Sequence, residues 1–165
     1  MFRYAADTPS IKAVVLVIES PGGEASQSEE LYLNVLRLKG EKPVVVSVNR
    51  VAASGGYYVA AAGNYIYAKP TSFVGSIGAW SFLPSPEPLF EDLIPTGPFK
   101  LTGGSRQKAT LQLEMVKEAF LQAVMSQRGN KLTLTKEELG RAEIHSGVEG
   151  LRYGLIDAIG STSDA

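Results

Sequence analysis

The sequence has no cysteine and a single histidine, and both facts narrow the chemistry open to it. Without cysteine there is no disulfide, no thiolate zinc site and no cysteine nucleophile, although cysteine-free proteins occur in every redox compartment. A histidine-based catalytic triad would have to use His145. This residue follows a short predicted helix in "EIHSG". We expect it to be a solvated or capping side chain and not a catalytic one.

An excess of one charge and a long apolar run are also missing. The 165 residues carry 16 Lys and Arg against 17 Asp and Glu, a formal net charge of −1. That balance offers no basic surface to a phosphate backbone, so we expect no nucleic-acid partner. No stretch approaches the ~20 apolar residues of a membrane span. We expect neither a cofactor nor a metal.

The remaining composition is typical of a globular protein, with 44% hydrophobic and 20% charged residues. At this length we expect one domain covering residues 1–165. The runs "AVVLVI" and "PVVVSV" are short and β-branched, which is typical of strands buried on both faces of a parallel sheet. Between them, residues 26–40 predict a helix with Ser26 as its N-cap and Gly40 as its end. Strand, helix and strand in this order predict an α/β fold with a mainly parallel sheet.

Further along the chain, the apolar spacing from Leu111 to Arg128 predicts a second helix, which Gly129 would cap. A shorter helix capped by Thr135 should follow, and "VEGLRYGLIDAIG" predicts a helix, a break at Gly154 and a last short strand. Residues 83–105 contain prolines and glycines without periodicity, so we expect a long surface loop there.

Two glycine-containing loops follow the two predicted strands. The first is "ESPGG" and the second is "NRVAASGG". In open α/β sheets ligands bind beyond the carboxyl ends of the strands, where glycine lets a backbone N–H approach a substrate closely. One N–H from each loop would form an oxyanion hole. Ser54, at the entry to the next helix, is either a nucleophile or only a helix N-cap.

These residues carry a resemblance to a known family. "IESPGG", "RVAASGGYYVAAAGNYIYAKPTSFVGSIG" and "LIDAIG" resemble the signal peptide peptidase A family of serine peptidases, from about Ile11 to Gly160. The resemblance implies a Clp protease/crotonase-like fold of stacked ββα units and peptide hydrolysis by a Ser/Lys dyad. Ser54 would be the nucleophile, and the backbone N–H groups of Gly23 and Gly55 would hold the oxyanion.

The resemblance also implies a lysine as the base, after a small glycine-containing loop. "TGPFKL" matches the family spacing and indicates Lys100, whereas Lys108 in "GGSRQKAT" is one residue out of that spacing. Ser76 in "VGSIG" matches a family serine that orients the lysine amine. The alternative interpretation is that Ser76 is a turn serine that bonds its own backbone. To act as a base, the lysine needs a pKa lowered from about 10.4 to near neutrality, about 4 kcal/mol, which requires burial.

Two departures from the family concern Glu19 and the start of the chain. The family usually has Asn where this chain has Glu19, and a carboxylate facing the site would disfavour an oxyanion. Family members carry earlier strands and commonly an N-terminal membrane anchor, whereas the present sequence starts almost at "IKAVVLVIESPGG". We therefore expect a domain without those strands and that anchor. Localisation stays open, and membrane association would need a segment that is not in this sequence.

The resulting hypothesis is a serine endopeptidase that degrades signal peptides or other membrane-derived peptides. Its substrates would bind in extended conformation beside "SPGG", and the family implies a homo-oligomeric ring. Two alternatives stay open. One is a crotonase-type acyl-CoA enzyme that uses the same paired N–H groups, and the other is a catalytically inactive ring-forming scaffold subunit.

Overall fold

A computed structural model describes residues 1–82 and 95–165 of the chain, so residues 83–94 of the predicted loop lie outside the description. The described residues form a mixed α/β fold built on one six-stranded sheet. The predicted fold class is therefore confirmed. Within the same residues, no helix combines the length and the apolar character needed to cross a membrane.

The helices and strands follow one another in this order: α1 (Phe2–Asp7), β1 (Val14–Ser20), α2 (Ala25–Glu41), β2 (Val44–Ala53), α3 (Gly55–Ala61), β3 (Tyr65–Ala68), β4 (Phe73–Gly75), α4 (Arg106–Arg128), a 3₁₀ turn (Gly129–Lys131), α5 (Lys136–Leu139), β5 (Ile144–Ser146), α6 (Gly147–Arg152) and β6 (Ala158–Ile159).

Strand β2 is the centre of the sheet. It pairs in parallel with β1 on one side, and on the other side with β3 along its first half and β4 along its second half. Strand β6 extends the sheet in parallel beyond β3, whereas β5 pairs antiparallel with β4. The predicted parallel pairing of β1 and β2 across helix α2 is confirmed. Within the described residues β1 pairs only with β2, so its outer edge is unpaired.

The core lies on one face of this sheet. Val46 and Ile66 are fully buried beneath α2 and α3, which contribute Val35 and Tyr57. The opposite face is open to solvent along β1, where Val15 and Val17 are 43% and 53% exposed. The prediction that both faces of β1 are buried is therefore wrong. Successive side chains of a strand point to opposite faces, and helices cover only one of them here.

The ends of helix α2 also differ from the prediction. Glu24, not Ser26, is its N-cap, because the Glu24 carboxylate accepts hydrogen bonds from the backbone N–H groups of Ser26 and Gln27. These bonds and one from the Ser26 hydroxyl lower the pKa of Glu24, with the hydroxyl contributing most. The helix continues through Gly40 to Glu41. A glycine within a helix costs only about 1 kcal/mol, which tertiary packing readily offsets.

The predicted caps at the end of α4 and at the start of α5 are confirmed. Gly129 caps α4 with a positive φ of 51°, and Thr135 forms a capping box with Glu138 at the start of α5. Helix α4 begins earlier than predicted, at Arg106 after the N-cap Ser105. Residues 95–105 form turns and irregular backbone, as expected for that part of the loop.

A buried ion pair joins α4 to the end of the chain. The guanidinium of Arg128, 3% exposed, donates two hydrogen bonds to the Asp157 carboxylate at 2.9 and 3.0 Å and one to the Gly154 carbonyl. Asp157 also accepts the backbone N–H of Ile66 in β3 and the ammonium of Lys131. Burial would raise the pKa of Asp157, but these hydrogen bonds outweigh burial and lower it.

Candidate active site

Ser54 occupies a strained turn between the central strand and a helix. It follows the last residue of β2 and precedes α3, with φ 50° and ψ −125°. A residue other than glycine in this region costs about 1–3 kcal/mol, and such strain concentrates at functional sites. Although Ser54 is at the N-cap position, its side chain makes no capping hydrogen bond. The view of Ser54 as only a capping side chain is therefore not supported, and its hydroxyl is left half-buried at the carboxyl end of β2.

A bulge in β2 brings the end of β1 next to this turn. Ile18 is paired with Val48, but Ser20 is paired with Ala52, so β2 contains two extra residues across that interval. Bulges bend a strand, change where its side chains point and are frequent beside active sites. The loop that follows β1, "PGG" at residues 21–23, therefore starts beside the end of β2.

The closest approach between the two loops is at Gly22. A Cβ atom placed on Gly22 would lie 2.7 Å from the Ser54 Cβ, 3.0 Å from the Gly55 nitrogen and 3.1 Å from the Ala53 carbonyl oxygen. Gly22 also has a φ of 110°, which strongly favours glycine. Both the limited space and the backbone conformation at position 22 therefore require glycine. The end of β1 and the end of β2 pack closely against each other at this point.

Gly23 and Gly55 place two backbone N–H groups in this region. The Gly23 nitrogen lies 3.4 Å from the position that a Cβ on Gly55 would take. Within residues 1–82 and 95–165, neither N–H donates a hydrogen bond. A Cβ on Gly55 would collide with the Ser28 hydroxyl, which is buried beneath it and donates to the Glu24 carbonyl at 2.9 Å. The structure thus brings together Ser54 and both amides that the family resemblance implies.

Ser76 is next to Ser54 on the neighbouring strand end. The Ser54 N–H donates to the Gly75 carbonyl at 2.9 Å, and Ala53 pairs with Gly75 in the sheet. Ser76 has a φ of 54°, so it shares the unusual positive φ of Ser54, and its N–H donates to the Glu143 carbonyl at 2.8 Å. Because this backbone hydrogen bond holds the turn at Ser76, the side chain of the half-buried Ser76 is available for another role.

Within the described residues of the single chain, both lysine candidates are exposed and neither is hydrogen-bonded to Ser54. Lys100 is exposed in a turn in which its N–H donates to the Gly97 carbonyl at 3.1 Å. In the part of the chain that the structure describes, its ammonium makes neither a hydrogen bond nor an ion pair. Lys108 is also exposed, in the first turn of α4, where its stem packs against Gly104. Neither lysine has, in this chain alone, the burial that a base requires.

The Glu19 carboxylate has partners on β2, at some remove in sequence from Ser54 and Gly55. Its carboxylate accepts a hydrogen bond from the Asn49 side chain and forms an ion pair with Arg50 at 3.1 Å. Asn49 in turn accepts the Lys69 ammonium at 2.7 Å. This exposed polar network lies along β1 and β2, so the Glu19 charge is partnered outside the candidate oxyanion hole.

Both tyrosines after Ser54 are packing residues. Tyr57 is fully buried and donates its hydroxyl to the Leu155 carbonyl at 2.8 Å. Tyr58 stacks on Phe120, with ring centroids 4.6 Å apart, and contacts Tyr32. Burial, with the nearby Glu29 charge and Tyr32, raises the pKa of Tyr58 to about 12, so its phenol stays protonated at neutral pH and is a poor base.

The structure also places His145 and the aromatic residues Trp80 and Phe82. His145 is not a capping residue after a helix. It lies half-buried in β5, with its ring 5.0 Å from the Tyr153 ring. Trp80 and Phe82 are exposed and contact each other edge to face, and Leu83 lies outside the described residues. Within the described ranges, no three His, Asp or Glu side chains are placed to hold a metal ion.

Three residues contribute to the site although no role was predicted for them individually: Ser20, Gly22 and Ser28. The sequence contained a signal for Ser28, because Ser28 lies on the apolar face of α2 with Tyr32 and Val35, where a polar side chain is unusual. Ser20 gave no comparable signal.

Comparison with known protein families gives a match to the segment around Ser54. Residues 37–89 match the model of "Peptidase family S49", a segment that contains Ser54, Gly55 and Ser76. The match therefore covers β2, α3, β3 and β4, whereas the end of β1 with Gly22 and Gly23 lies before it.

Several of the similar proteins are proteases by name. Protease 4 of Haemophilus influenzae is 32% identical over 100% of this chain, and a putative protease of Methanocaldococcus jannaschii is 36% identical over 94%. The chloroplastic serine protease SPPA of Arabidopsis thaliana is 30% identical over 99%. The chain spans only 29%, 54% and 26% of the lengths of these three relatives. These matches confirm the resemblance to the signal peptide peptidase A family.

Proposed function

We propose that this relative of the S49 peptidases is a serine endopeptidase in which Ser54 is the nucleophile and Lys100 the general base. The observation that carries the proposal is the packing of Gly22 against Ser54, which sets a strained serine beside two N–H groups that lack partners among the described residues. Strain at a strand-to-helix turn is the arrangement that exposes a nucleophilic serine in other hydrolases.

The proposed reaction is acyl transfer to the serine. The neutral amine of Lys100 takes the proton of the Ser54 hydroxyl while Oγ attacks the scissile carbonyl carbon, and the carbonyl oxygen becomes an oxyanion. The N–H groups of Gly23 and Gly55 stabilise that oxyanion, and each is worth about 3 kcal/mol at the transition state. The Lys100 ammonium then protonates the leaving amine as the C–N bond breaks. Water attacks the acyl-enzyme while Lys100 takes its proton, and this proton returns to Ser54 Oγ as the Oγ–C bond breaks.

Ser76 has a positioning role in this proposal. Its hydroxyl would accept a hydrogen bond from the Lys100 ammonium and hold the amine toward Ser54. The adjacency of Ser54 and Ser76 through the Gly75 carbonyl supports this role, because one amine could then contact both hydroxyls.

Lys100 must lose water to act as a base at neutral pH. In the single chain it is exposed, and its neighbours Phe99 and Leu101 are 52% and 47% exposed. Desolvation lowers the pKa of a lysine, so a surface that covers this turn would supply the missing condition. We propose a homo-oligomeric ring, with a second copy of the chain as that cover.

The proposed substrates are signal peptides and other membrane-derived peptides. The outer edge of β1 is unpaired within the described residues and leads directly into "SPGG". An extended peptide could add to that edge as a strand, which would direct its carbonyl toward Ser54. The small residues Gly22, Ala53 and Gly55 around the serine favour small or apolar substrate side chains.

Labelling with a peptidyl phosphonate, followed by mass analysis of the modified peptide, tests the proposal. Wild-type protein and Lys108→Ala should be labelled on Ser54, whereas Ser54→Ala and Lys100→Ala should lose labelling and peptide hydrolysis. Unchanged hydrolysis in Ser54→Ala would rule the mechanism out. Absence of labelling with thermal stabilisation by coenzyme A would favour a crotonase-type enzyme, and inertness in both assays would favour a scaffold subunit.

A further inference from the structure

Ser20 is the polar residue at the junction of the two glycine loops. It is the last residue of β1, is half-buried, and is paired with Ala52 because of the bulge in β2. It therefore lies at the start of "PGG" and alongside the end of the strand that leads to Ser54. No part of the mechanism described above uses its side chain.

The Ser20 hydroxyl restrains the backbone of the loop that follows β1. It accepts a hydrogen bond from the Gly22 N–H at 3.1 Å. Two consecutive glycines have wide backbone freedom, so a loop that ends in Gly22 and Gly23 would sample many conformations without a restraint. Holding the Gly22 N–H on Ser20 fixes the peptide unit before Gly22, and the next N–H along the chain belongs to Gly23.

Ser20 also contacts the start of α3. A Cβ atom on Gly56 would lie 2.7 Å from the Ser20 carbonyl oxygen, 3.1 Å from its Cβ and 3.3 Å from its hydroxyl. The missing side chain at Gly56 therefore makes room for Ser20. One serine thus contacts the loop that carries Gly23 and the helix turn that follows Gly55.

We infer that Ser20 is a positioning residue for the oxyanion hole, which sets the Gly23 N–H relative to the Gly55 N–H. This inference rests on the proposed function. A donor is effective only when it already points to the place where the negative charge develops. Removing the Ser20 hydroxyl should therefore slow the chemical step and leave substrate binding nearly intact.

Steady-state peptide hydrolysis by the full chain tests this role with four variants. Ser20→Ala should lower kcat about tenfold and change KM less than about twofold, because one oxyanion donor becomes misplaced but is not removed. Ser20→Thr retains the hydroxyl and should recover most of kcat. Ser47→Ala is the control, since it removes another strand serine hydroxyl, which is bonded to Thr162 at 2.8 Å and not to Gly22 or Gly23. Ser54→Ala reports whether the measured activity belongs to the proposed nucleophile.

The outcomes separate the two proposals. If wild type is active and Ser54→Ala is not, a kcat for Ser20→Ala equal to wild type overturns the positioning role. An equal kcat loss in Ser47→Ala, with equally lowered melting temperatures, also overturns it, because the effect would then be structural. If wild type shows neither hydrolysis nor phosphonate labelling, the proposed function fails, and the role of Ser20 fails with it.

Discussion

Gly22 and Ser54 are in contact across two loops that are 32 positions apart in the sequence, and a Cβ on Gly22 would lie 2.7 Å from the Ser54 Cβ. The contact joins the end of β1 to the end of β2. It leaves no room for a side chain at position 22, and the φ of 110° there independently favours glycine. The geometry around Ser54 therefore depends on Gly22, a residue that has no side chain.

The first prediction is that Gly22→Ala inactivates the protein without unfolding it. The new methyl group would push Ser54 and the Gly55 nitrogen away and would strain the backbone. We expect peptide hydrolysis and phosphonate labelling to fall at least about 100-fold, similar to the loss of an oxyanion donor. Circular dichroism should still report a folded protein.

Gly40→Ala is the control for that experiment. A Cβ on Gly40 meets no atom within 4 Å, and the residue lies inside helix α2. Activity should be unchanged and stability slightly higher, because alanine favours helix over glycine. Wild-type activity in Gly22→Ala would contradict the proposed packing.

The second prediction is that Ser54→Gly is more stable than wild type although it is inactive. Glycine adopts the conformation at position 54, φ 50° and ψ −125°, without the penalty that serine pays. We expect a gain of about 1 kcal/mol in the free energy of unfolding. Ser54→Ala should be equally inactive without that gain, because alanine retains the strain. Chemical denaturation of all three proteins measures the difference, and equal stabilities would argue against backbone strain at Ser54.

The third prediction is that the charge of Glu19 is nearly irrelevant to the reaction. Its carboxylate is bound by Asn49 and Arg50 on the exposed face of the sheet. Glu19→Gln should therefore change kcat less than about twofold, and the exposed ion pair contributes at most about 1 kcal/mol to stability. A large increase in kcat would instead indicate that the carboxylate opposes the oxyanion.

The fourth prediction concerns acid stability and Asp157. Hydrogen bonds from Arg128 and Lys131 lower the pKa of this carboxyl in the folded protein despite its burial. A lowered folded pKa stabilises the protein above the unfolded value of about 3.9, and that contribution disappears as pH falls through the folded pKa. Asp157→Asn should lose about 3 kcal/mol at pH near 7, because it leaves Arg128 buried without a charged partner.

The pH dependence distinguishes this ion pair from general destabilisation. The stability difference between wild type and Asp157→Asn should shrink as pH falls below about 4, because the wild-type carboxylate is protonated there in the unfolded state and, at still lower pH, in the folded state as well. Asp164→Asn, which removes an exposed carboxylate that accepts from Ser161, should show a smaller loss. A difference that is constant from acidic to neutral pH would contradict the assignment. Denaturant unfolding at several pH values measures it.

Prediction from sequence succeeded where the signal is local. The β-branched runs of β1 and β2, the helical spacing of α4 and the capping residues Gly129 and Thr135 are all as expected, because backbone preferences act over a few residues. It failed where the answer depends on packing. Glu24 replaced Ser26 as the cap of α2, and β1 is exposed on one face because helices cover only the other.

The amino-acid sequence alone determined that serine and glycine lie at the carboxyl ends of two parallel strands, because the apolar runs predict the strands and the turn residues after them mark where the strands end. Tertiary structure alone decided how those ends meet. The bulge in β2 shifts the pairing of Ser20 to Ala52, and the same pairing places Gly22 against Ser54 and leaves Glu19 on the outer face. Parallel strands are joined through a crossover and not by a short turn that would fix their register, so the position of the bulge depends on contacts between segments far apart in the sequence.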